Sequence, residues 1–282
     1  MKLVVALASG SPYSWSLEPQ ILLWVAVLGG AYGWRLRQLK RSGERPTKRP
    51  LEVYLRAASF YAGLAFFALA FVSPVDRLGE QRLFCVHMAQ HLMIADFAPI
   101  LLLLGLSRPI MRPLVRRLRP IEQSLGIVAH PLTALVLILV VMWAWHIAPA
   151  YELTLHHVWA HDLEHASFFI AGTAFWWYVI EPVPPRHRLR GMAMVGYITG
   201  AKLALAALGV VLAFSPSAFY ETYREAPRTW GLTPLEDLNI GGLVMMIEQT
   251  IVLVSFFAIL FVRMLDQSER DEQRRERFEL QR

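Results

Sequence analysis

Histidines at helical spacing are the residues of this chain most able to do chemistry. The segment HHVWAHDLEH holds four of the nine histidines within ten residues, CVHMAQHLM holds His87 and His91, and MWAWHIAP holds His146. Residues at i and i+4 project from one face of a helix, so His87 pairs with His91 and His161 pairs with His165. Imidazole nitrogens on adjacent turns can bind one metal ion at about 2.0–2.1 Å. This spacing predicts a transition-metal site.

The predicted site has a core of ligands and a set of supporting residues. Two i,i+4 pairs on two helices can present four nitrogens to one ion. The predicted core ligands are His87, His91, His161 and His165. His146 and His157 are candidates for a fifth ligand, a second metal or outer support. Glu164 and Asp162 are expected to accept hydrogen bonds from the imidazoles and to fix their tautomers.

The donor types narrow the choice of metal. The single cysteine, Cys85, excludes an internal disulfide and any pair of thiolate ligands. Imidazole suits copper, zinc and iron, whereas thioether sulfur favours Cu(I). Met88 adjoins His87, and Met142 lies one turn below His146. The sequence therefore favours copper mildly, and it leaves zinc and haem as alternatives.

Long apolar runs must position these histidines. Hydrophobic residues make up 55% of the 282 residues, and about twenty apolar residues are needed for a helix to cross a bilayer. The pattern predicts an all-α integral membrane bundle formed by residues 17–265, after an outer N-terminal segment (1–16) and before a charged cytoplasmic tail (266–282). The predicted spans are 17–36, 51–72, 82–105, 127–147, 156–181, 191–214 and 237–265.

Basic residues set the predicted orientation. With these spans, 21 lysines and arginines fall in the first, third and fifth loops and the tail, against five in the alternate segments. Cytoplasmic loops carry an excess of such residues, so the N-terminus is predicted to lie outside and the C-terminus in the cytoplasm. Seven of the nine histidines then share the outer third of the bilayer, all except His130 and His187. Because the basic residues lie in short loops, the formal charge of +6 reports orientation and not nucleic-acid binding.

Three charged residues fall near the middle of predicted spans. Asp96, Lys202 and Glu248 each lie ten to fifteen residues inside a helix. Isolated charges at that depth are costly and are usually paired or functional. We expect the three side chains to reach one another or a shared cavity, either as an ion-pair network that fixes helix packing or as an ion path.

Several motifs taken together resemble one protein family. HMAQHLMIADFAPILLLLGLSRP, WAWHIAPAYELTL, HDLEHASFFIAGTAFWWYVIEP and EDLNIGGLVMM resemble the CtaG family of cytochrome c oxidase assembly factors, first linked to caa-type oxidases. The resemblance implies a non-enzymatic protein of the bacterial cytoplasmic membrane that helps load the binuclear copper centre. It also implies oxidase subunit I as a partner, and a copper donor protein as another. The family's histidine motifs match His87, His91, His146, His161 and His165.

Two other classes of protein fit the histidines. A membrane-embedded zinc hydrolase also gathers histidines near one face, but it needs a serine there and Ser167 is the closest. A haem-binding, cytochrome b-like bundle needs only two histidines on different helices. Metal analysis together with a visible spectrum separates these alternatives from a copper protein.

Overall fold

The fold is entirely helical over the part of the chain that the structure describes. The computed structural model describes residues 11–44, 47 and 49–279. Residues 1–10 of the predicted outer segment and residues 280–282 of the predicted tail lie outside that description. The helices are α1 (Pro19–Arg41), α2 (Pro50–Val72), α3 (Pro74–Gln81), α4 (Phe84–Leu92), α5 (Ala98–Gly105), α6 (Arg108–Ser124), α7 (Pro131–Trp145), α8 (Ala148–His156), α9 (Val158–Ile180), α10 (Met192–Ala213), α11 (Glu221–Glu225) and α12 (Pro234–Glu279).

Two short irregular helices join these elements. A π-helical segment, Met93–Phe97, connects α4 to α5 without a break, and a 3₁₀ turn, Gly126–Ala129, precedes α7. π-Helical turns inserted in α-helices occur frequently at functional sites because they change which side chains face a neighbour. This one begins two residues after His91 and carries Asp96, so it changes the rotation of the chain between the histidines of α4 and that buried charge.

Helices overlap each of the seven predicted spans, but the predicted number of spans is not confirmed. Among the described residues, four helical stretches are long and apolar enough to cross a membrane, or five if α7 and α8, which meet at a 75° bend, form one broken span. Helix α9 has 23 residues but carries two histidines and two carboxylates in its first turns, which lower its hydropathy. Helix α1 has the same length but contains three glycines, and its C-terminal half carries three arginines and a lysine.

Proline marks where several helices begin. Pro19, Pro50 and Pro131 stand at the first positions of α1, α2 and α7, where the missing backbone N–H costs nothing and the fixed φ suits a helix. Pro149 likewise stands in the first turn of α8, and a helix running on from α7 through it would lose a hydrogen bond. The chain bends there, and His146 caps the end of α7 at the bend.

The core packs α9 against the continuous α4–π–α5 segment. Ile94, Ala95, Phe168 and Ala171 are fully buried between these elements. Gly172 makes the approach possible, since a Cβ at that position would clash with the carbonyl oxygen of Ala95. The close contact brings the histidine face of α9 onto the histidine face of α4.

Candidate metal centre

Helix α4 is held in place at its first turn, just before its histidines. The carboxylate of Asp237, on α12, accepts hydrogen bonds from the backbone N–H groups of Phe84 at 2.7 Å and Cys85 at 3.0 Å. These groups are among the four N–H groups that a helix N-terminus leaves without an intrahelical partner, and a negative charge there also interacts favourably with the helix dipole. Gly79 of α3 packs against His87, and a Cβ at position 79 would lie 2.9 Å from the His87 Cα. The position of His87 is therefore fixed from two sides.

Four buried side chains converge between α4 and α9, and we call them the four-ligand group. His87, His91, Glu164 and His165 each offer one ligand atom, and all four atoms lie within 4.8 Å of one another. Ligand atoms around a tetrahedral ion at about 2.0–2.2 Å lie about 3.3–3.6 Å from one another. Small movements of the four side chains would therefore bring their ligand atoms to the separation that one bound ion requires.

Several polar atoms of this group are buried without the hydrogen bonds that they normally make. Nε2 of His87, both ring nitrogens of His91 and both carboxylate oxygens of Glu164 have no hydrogen-bond partner among the described residues. Nε2 of His91 lies 3.7 Å from Oε1 of Glu164, too far for a hydrogen bond. Leaving buried polar atoms unsatisfied is costly and uncommon in folded proteins. A metal ion would satisfy one nitrogen of each of these histidines and the carboxylate, so the residues present fit one.

Two tyrosines determine which nitrogen of His87 faces the group. The Tyr223 hydroxyl donates to the carbonyl oxygen of Gly79 at 2.7 Å, so its oxygen can only accept from Nδ1 of His87, 2.9 Å away. The Tyr151 hydroxyl lies 2.7 Å from the same nitrogen and 3.2 Å from the Tyr223 oxygen. With the proton on Nδ1 all these groups are satisfied, whereas a proton on Nε2 would be buried without an acceptor. This pattern leaves the lone pair of Nε2 for a metal.

Tyr223 remains a neutral hydrogen-bond donor because of its surroundings. It lies in α11, outside the long apolar helices, yet burial raises the pKa of its hydroxyl well above the ordinary value. The phenol therefore keeps its proton at any pH near neutrality. The hydrogen bond to Gly79, and with it the tautomer of His87, does not depend on pH in that range.

His146 lies beside the four-ligand group without belonging to it. Its Nδ1 donates to the carbonyl oxygen of Met142 at 2.7 Å, and its Nε2 lies 3.2 Å from Sδ of Met88. The His146 ring centroid is 5.8 Å from that of His91. The sequence placed His146 as a candidate for a second metal or outer support, and its position next to the group is compatible with either role.

His161 is buried against the four-ligand group but outside it. Its ring centroid lies 4.1 Å from that of His165 and 5.5 Å from that of His87. The fourth ligand atom comes instead from Glu164, which the sequence assigned to the support of a ring tautomer. Its carboxylate is completely buried and lies among the ligand atoms.

The structure separates His157 and Asp162 from the other predicted residues. Helix α9 begins at Val158, and His157 precedes it with extended backbone angles, so the i,i+4 relation to His161 does not hold. The His157 side chain is exposed, with its ring centroid 6.2 Å from that of Trp159. Asp162 is also exposed, because one residue of helix rotation turns it away from the face of His161 and His165.

Two functional residues at the site carry no local sequence signal. Tyr151 and Tyr223 are 64 and 136 residues from His87 along the chain, and Tyr223 stands in no histidine motif. Tyr151 lies within the quoted segment HIAPAY, but nothing in its spacing relates it to α4. Only the tertiary arrangement identifies them.

The three charged residues predicted to lie near the middle of spans are close together in the structure. Asp96 lies in the π-helical segment, Lys202 in α10 and Glu248 in α12. The Lys202 ammonium lies 2.9 Å from Oδ1 of Asp96 and 3.9 Å from Oε1 of Glu248. Trp176 donates its indole N–H to the same oxygen of Asp96 at 2.6 Å, and Gln249 donates to Glu248. All three charged side chains are buried. Two carboxylates therefore share one ammonium group.

These features define a helical membrane-type protein with a buried histidine–carboxylate centre. The family model for the cytochrome c oxidase caa3 assembly factor, Caa3_CtaG, matches residues 30–267. The chain belongs to that family, and the resemblance seen in the sequence motifs is confirmed.

Curated relatives of this chain come from mycobacteria. An uncharacterised protein of Mycobacterium leprae (strain TN) is 24% identical over 252 residues, which is 82% of this chain and 36% of the relative. An uncharacterised protein of Mycobacterium bovis is 25% identical over 206 residues, which is 66% of this chain and 30% of the relative. The chain thus spans about a third of the length of these relatives. No solved structure matches it.

Proposed function

We propose that this protein is a membrane assembly factor for haem–copper cytochrome c oxidase that binds copper through its four-ligand group. The observation that carries the proposal is the convergence of four buried ligand atoms within 4.8 Å in a chain of the caa3 assembly-factor family. Copper is cargo in this account. The protein holds the ion and releases it to the binuclear copper centre of the oxidase.

The donor set supports a transition metal and leaves its identity to the family context. Three imidazoles and one carboxylate suit copper, zinc and iron. Copper is the metal that a factor for a haem–copper oxidase has reason to carry. His87, His91 and His165 would bind it through ring nitrogens, and Glu164 through its carboxylate, which would also offset part of the charge of the ion in the protein interior.

The proposed orientation puts the four-ligand group near the outer face of the bacterial cytoplasmic membrane. With the seven predicted spans, the 21-to-5 partition of basic residues supports an N-terminus outside the membrane. The basic helix α6 then lies on the cytoplasmic side, where its exposed Arg112 and Arg116 face anionic lipid headgroups. The proposed partners are oxidase subunit I, which receives copper, and a copper donor protein.

The geometry favours this role over a zinc hydrolase. A catalytic zinc site keeps three protein ligands and one position for water, whereas closed sites have four protein ligands. The four-ligand group would complete a tetrahedral shell. Ser167, the nearest candidate for a hydrolase serine, donates to the backbone carbonyl of Glu164 at 2.7 Å and accepts from Trp145 at 2.9 Å. It links α7 to α9 in that position.

The arrangement also disfavours a haem protein. A porphyrin between two axial histidines needs the rings on opposite sides of a gap. The rings that meet across α4 and α9 instead pack edge to face, His91 with His165 at a centroid distance of 5.3 Å and His87 with His161 at 5.5 Å. Such close packing suits a small ion.

Oxidase assembly in cells that depend on this chain tests the proposal. We expect replacement of the gene by a His91→Ala/His165→Ala variant to leave oxidase subunits in the membrane with little activity and little bound copper. A His156→Ala/His187→Ala variant removes two exposed histidines and should support normal assembly. Full oxidase activity with the first variant would overturn the assembly role of the centre.

A further inference from the structure

Two further side-chain atoms that could bind a metal lie next to the four-ligand group. We propose that Nε2 of His146 and Sδ of Met88, here called the soft pair, form a separate Cu(I) site. The two atoms are 3.2 Å apart, and both side chains are buried. The inference rests on the proposed function only in taking copper as the cargo.

The hydrogen bonding of His146 leaves a lone pair facing the sulfur. The carbonyl oxygen of Met142 can only accept, so the proton of the neutral His146 ring lies on Nδ1, 2.7 Å from that oxygen. Nε2 then carries a lone pair, as does the thioether sulfur opposite it. The two atoms are both electron-pair donors, and no hydrogen lies between them. A cation bound to both atoms would stabilise this arrangement.

Both donors are held by the fold. His146 stands at the bend between α7 and α8, where the Tyr220 hydroxyl donates to its backbone carbonyl at 2.9 Å. Met88 lies on α4 between the two histidines of that helix, with no exposed surface. Holding the ligands in place before the ion binds reduces the conformational entropy lost on binding.

The chemistry of the soft pair differs from that of its neighbour. A metal lies about 2.0–2.1 Å from an imidazole nitrogen and about 2.3 Å from sulfur, so donors 3.2 Å apart can share one ion. One imidazole and one thioether select Cu(I), whereas the four-ligand group, with three imidazoles and a harder carboxylate, binds Cu(I) less selectively. The structure thus offers two sites that differ in their selectivity for Cu(I).

His91 connects the two sites. Its ring centroid lies 5.8 Å from that of His146 and 4.3 Å from that of His87. An ion leaving the soft pair would meet a ring of the four-ligand group before it met water. We infer that the soft pair is a receiving or releasing position for Cu(I) next to the main centre.

Anaerobic Cu(I) titration of the full-length protein in detergent, against a chromogenic Cu(I) chelator, tests the soft pair. Wild type should hold two Cu(I) ions, and X-ray absorption should show a sulfur ligand. Met88→Leu conserves volume in a packed position and should lose one ion together with the sulfur signal. Met142→Leu removes a different sulfur on α7, keeps the backbone carbonyl that accepts the hydrogen bond from His146, and should retain both ions.

The outcomes separate failure of the soft pair from failure of the four-ligand group. If Met88→Leu binds as much Cu(I) as wild type, or if wild type shows no sulfur ligand, the soft pair is wrong and the main centre can stand. A His87→Ala/His165→Ala variant should keep one ion with its sulfur ligand. Loss of both ions in that variant would show that the soft pair is not a separate site and would overturn the inference.

Discussion

The Tyr223 hydroxyl lies 2.9 Å from Nδ1 of His87 while it donates to the carbonyl oxygen of Gly79. This contact joins α11 to a candidate metal ligand on α4. It determines which ring nitrogen of His87 is available, and it does so with a hydroxyl that stays neutral because burial raises its pKa. Tyr223 therefore helps fix the tautomer of a candidate metal ligand.

We expect Tyr223→Phe to weaken metal binding while the protein still folds. Losing a hydrogen-bond partner of a metal-ligating histidine commonly costs about 10- to 100-fold in affinity. Tyr197→Phe is the matched control, because Tyr197 is also buried but donates to the Phe175 carbonyl away from the centre. Isothermal titration of both variants measures the effect, and equal affinities would remove Tyr223 from the site.

We expect Lys202 to stabilise the folded protein through its contacts with the carboxylates of Asp96 and Glu248. In Lys202→Met, Asp96 and Glu248 lose their shared cation, and breaking a buried ion pair on one side typically costs about 3–5 kcal/mol. Thermal unfolding in detergent should show a large loss of stability, which Asp96→Asn in the same chain should partly restore.

An exposed ion pair provides the control for Lys202. Arg112 pairs with Glu44 at 3.7 Å, with about half of each side chain exposed. Such surface pairs contribute about 0–1 kcal/mol, so Arg112→Met should leave the unfolding temperature nearly unchanged. If Lys202→Met were equally mild, the buried network would not be a stabilising element.

Asp237 should matter to the metal centre through α4. Asp237→Ala removes two hydrogen bonds at the N-terminus of that helix, and the loss of an N-terminal cap costs about 0.5–2 kcal/mol. We expect reduced stability together with weaker metal binding, because His87 stands one turn beyond the capped N–H groups. The neighbouring Glu236→Ala, which loses exposed hydrogen bonds to Thr233, should change neither property by much.

Reporter fusions test the predicted orientation. A reporter attached after Arg282 should be active only if it is one that functions in the cytoplasm, because basic residues are concentrated in the loops on that side. A second reporter inserted near Arg228, in the segment between α10 and α12, should show the opposite behaviour. Activity of a periplasmic reporter at the C-terminus would refute the orientation.

Local spacing predicted the parts of the site that depend on a single helix. The pair His87 and His91 shares one face of α4, and His161 and His165 share one face of α9, because i,i+4 residues of any helix do so. His157 fits the same spacing but stands before the first helical residue. Helix boundaries are set by local backbone interactions that spacing alone does not capture.

Long-range contacts account for what the sequence left open. Asp237 reaches the first turn of α4 across more than 150 residues, and Tyr223 reaches His87 across 136. The rotation of each helix about its axis decided that Glu164 faces the ligand atoms while Asp162 faces outward. That rotation depends on packing, such as the contact of Gly172 with Ala95, which no single segment specifies.

The metal content of the purified protein tests the central claim most directly. Elemental analysis of wild type, expressed with copper in the medium and washed free of loosely bound ions, should find copper in stoichiometric amounts, and the visible spectrum should lack the Soret band of haem. The His91→Ala/His165→Ala variant should lose the copper of the four-ligand group, and the His156→Ala/His187→Ala control should keep it. A double variant of His91 and His165 that retained all the copper of wild type would contradict the account.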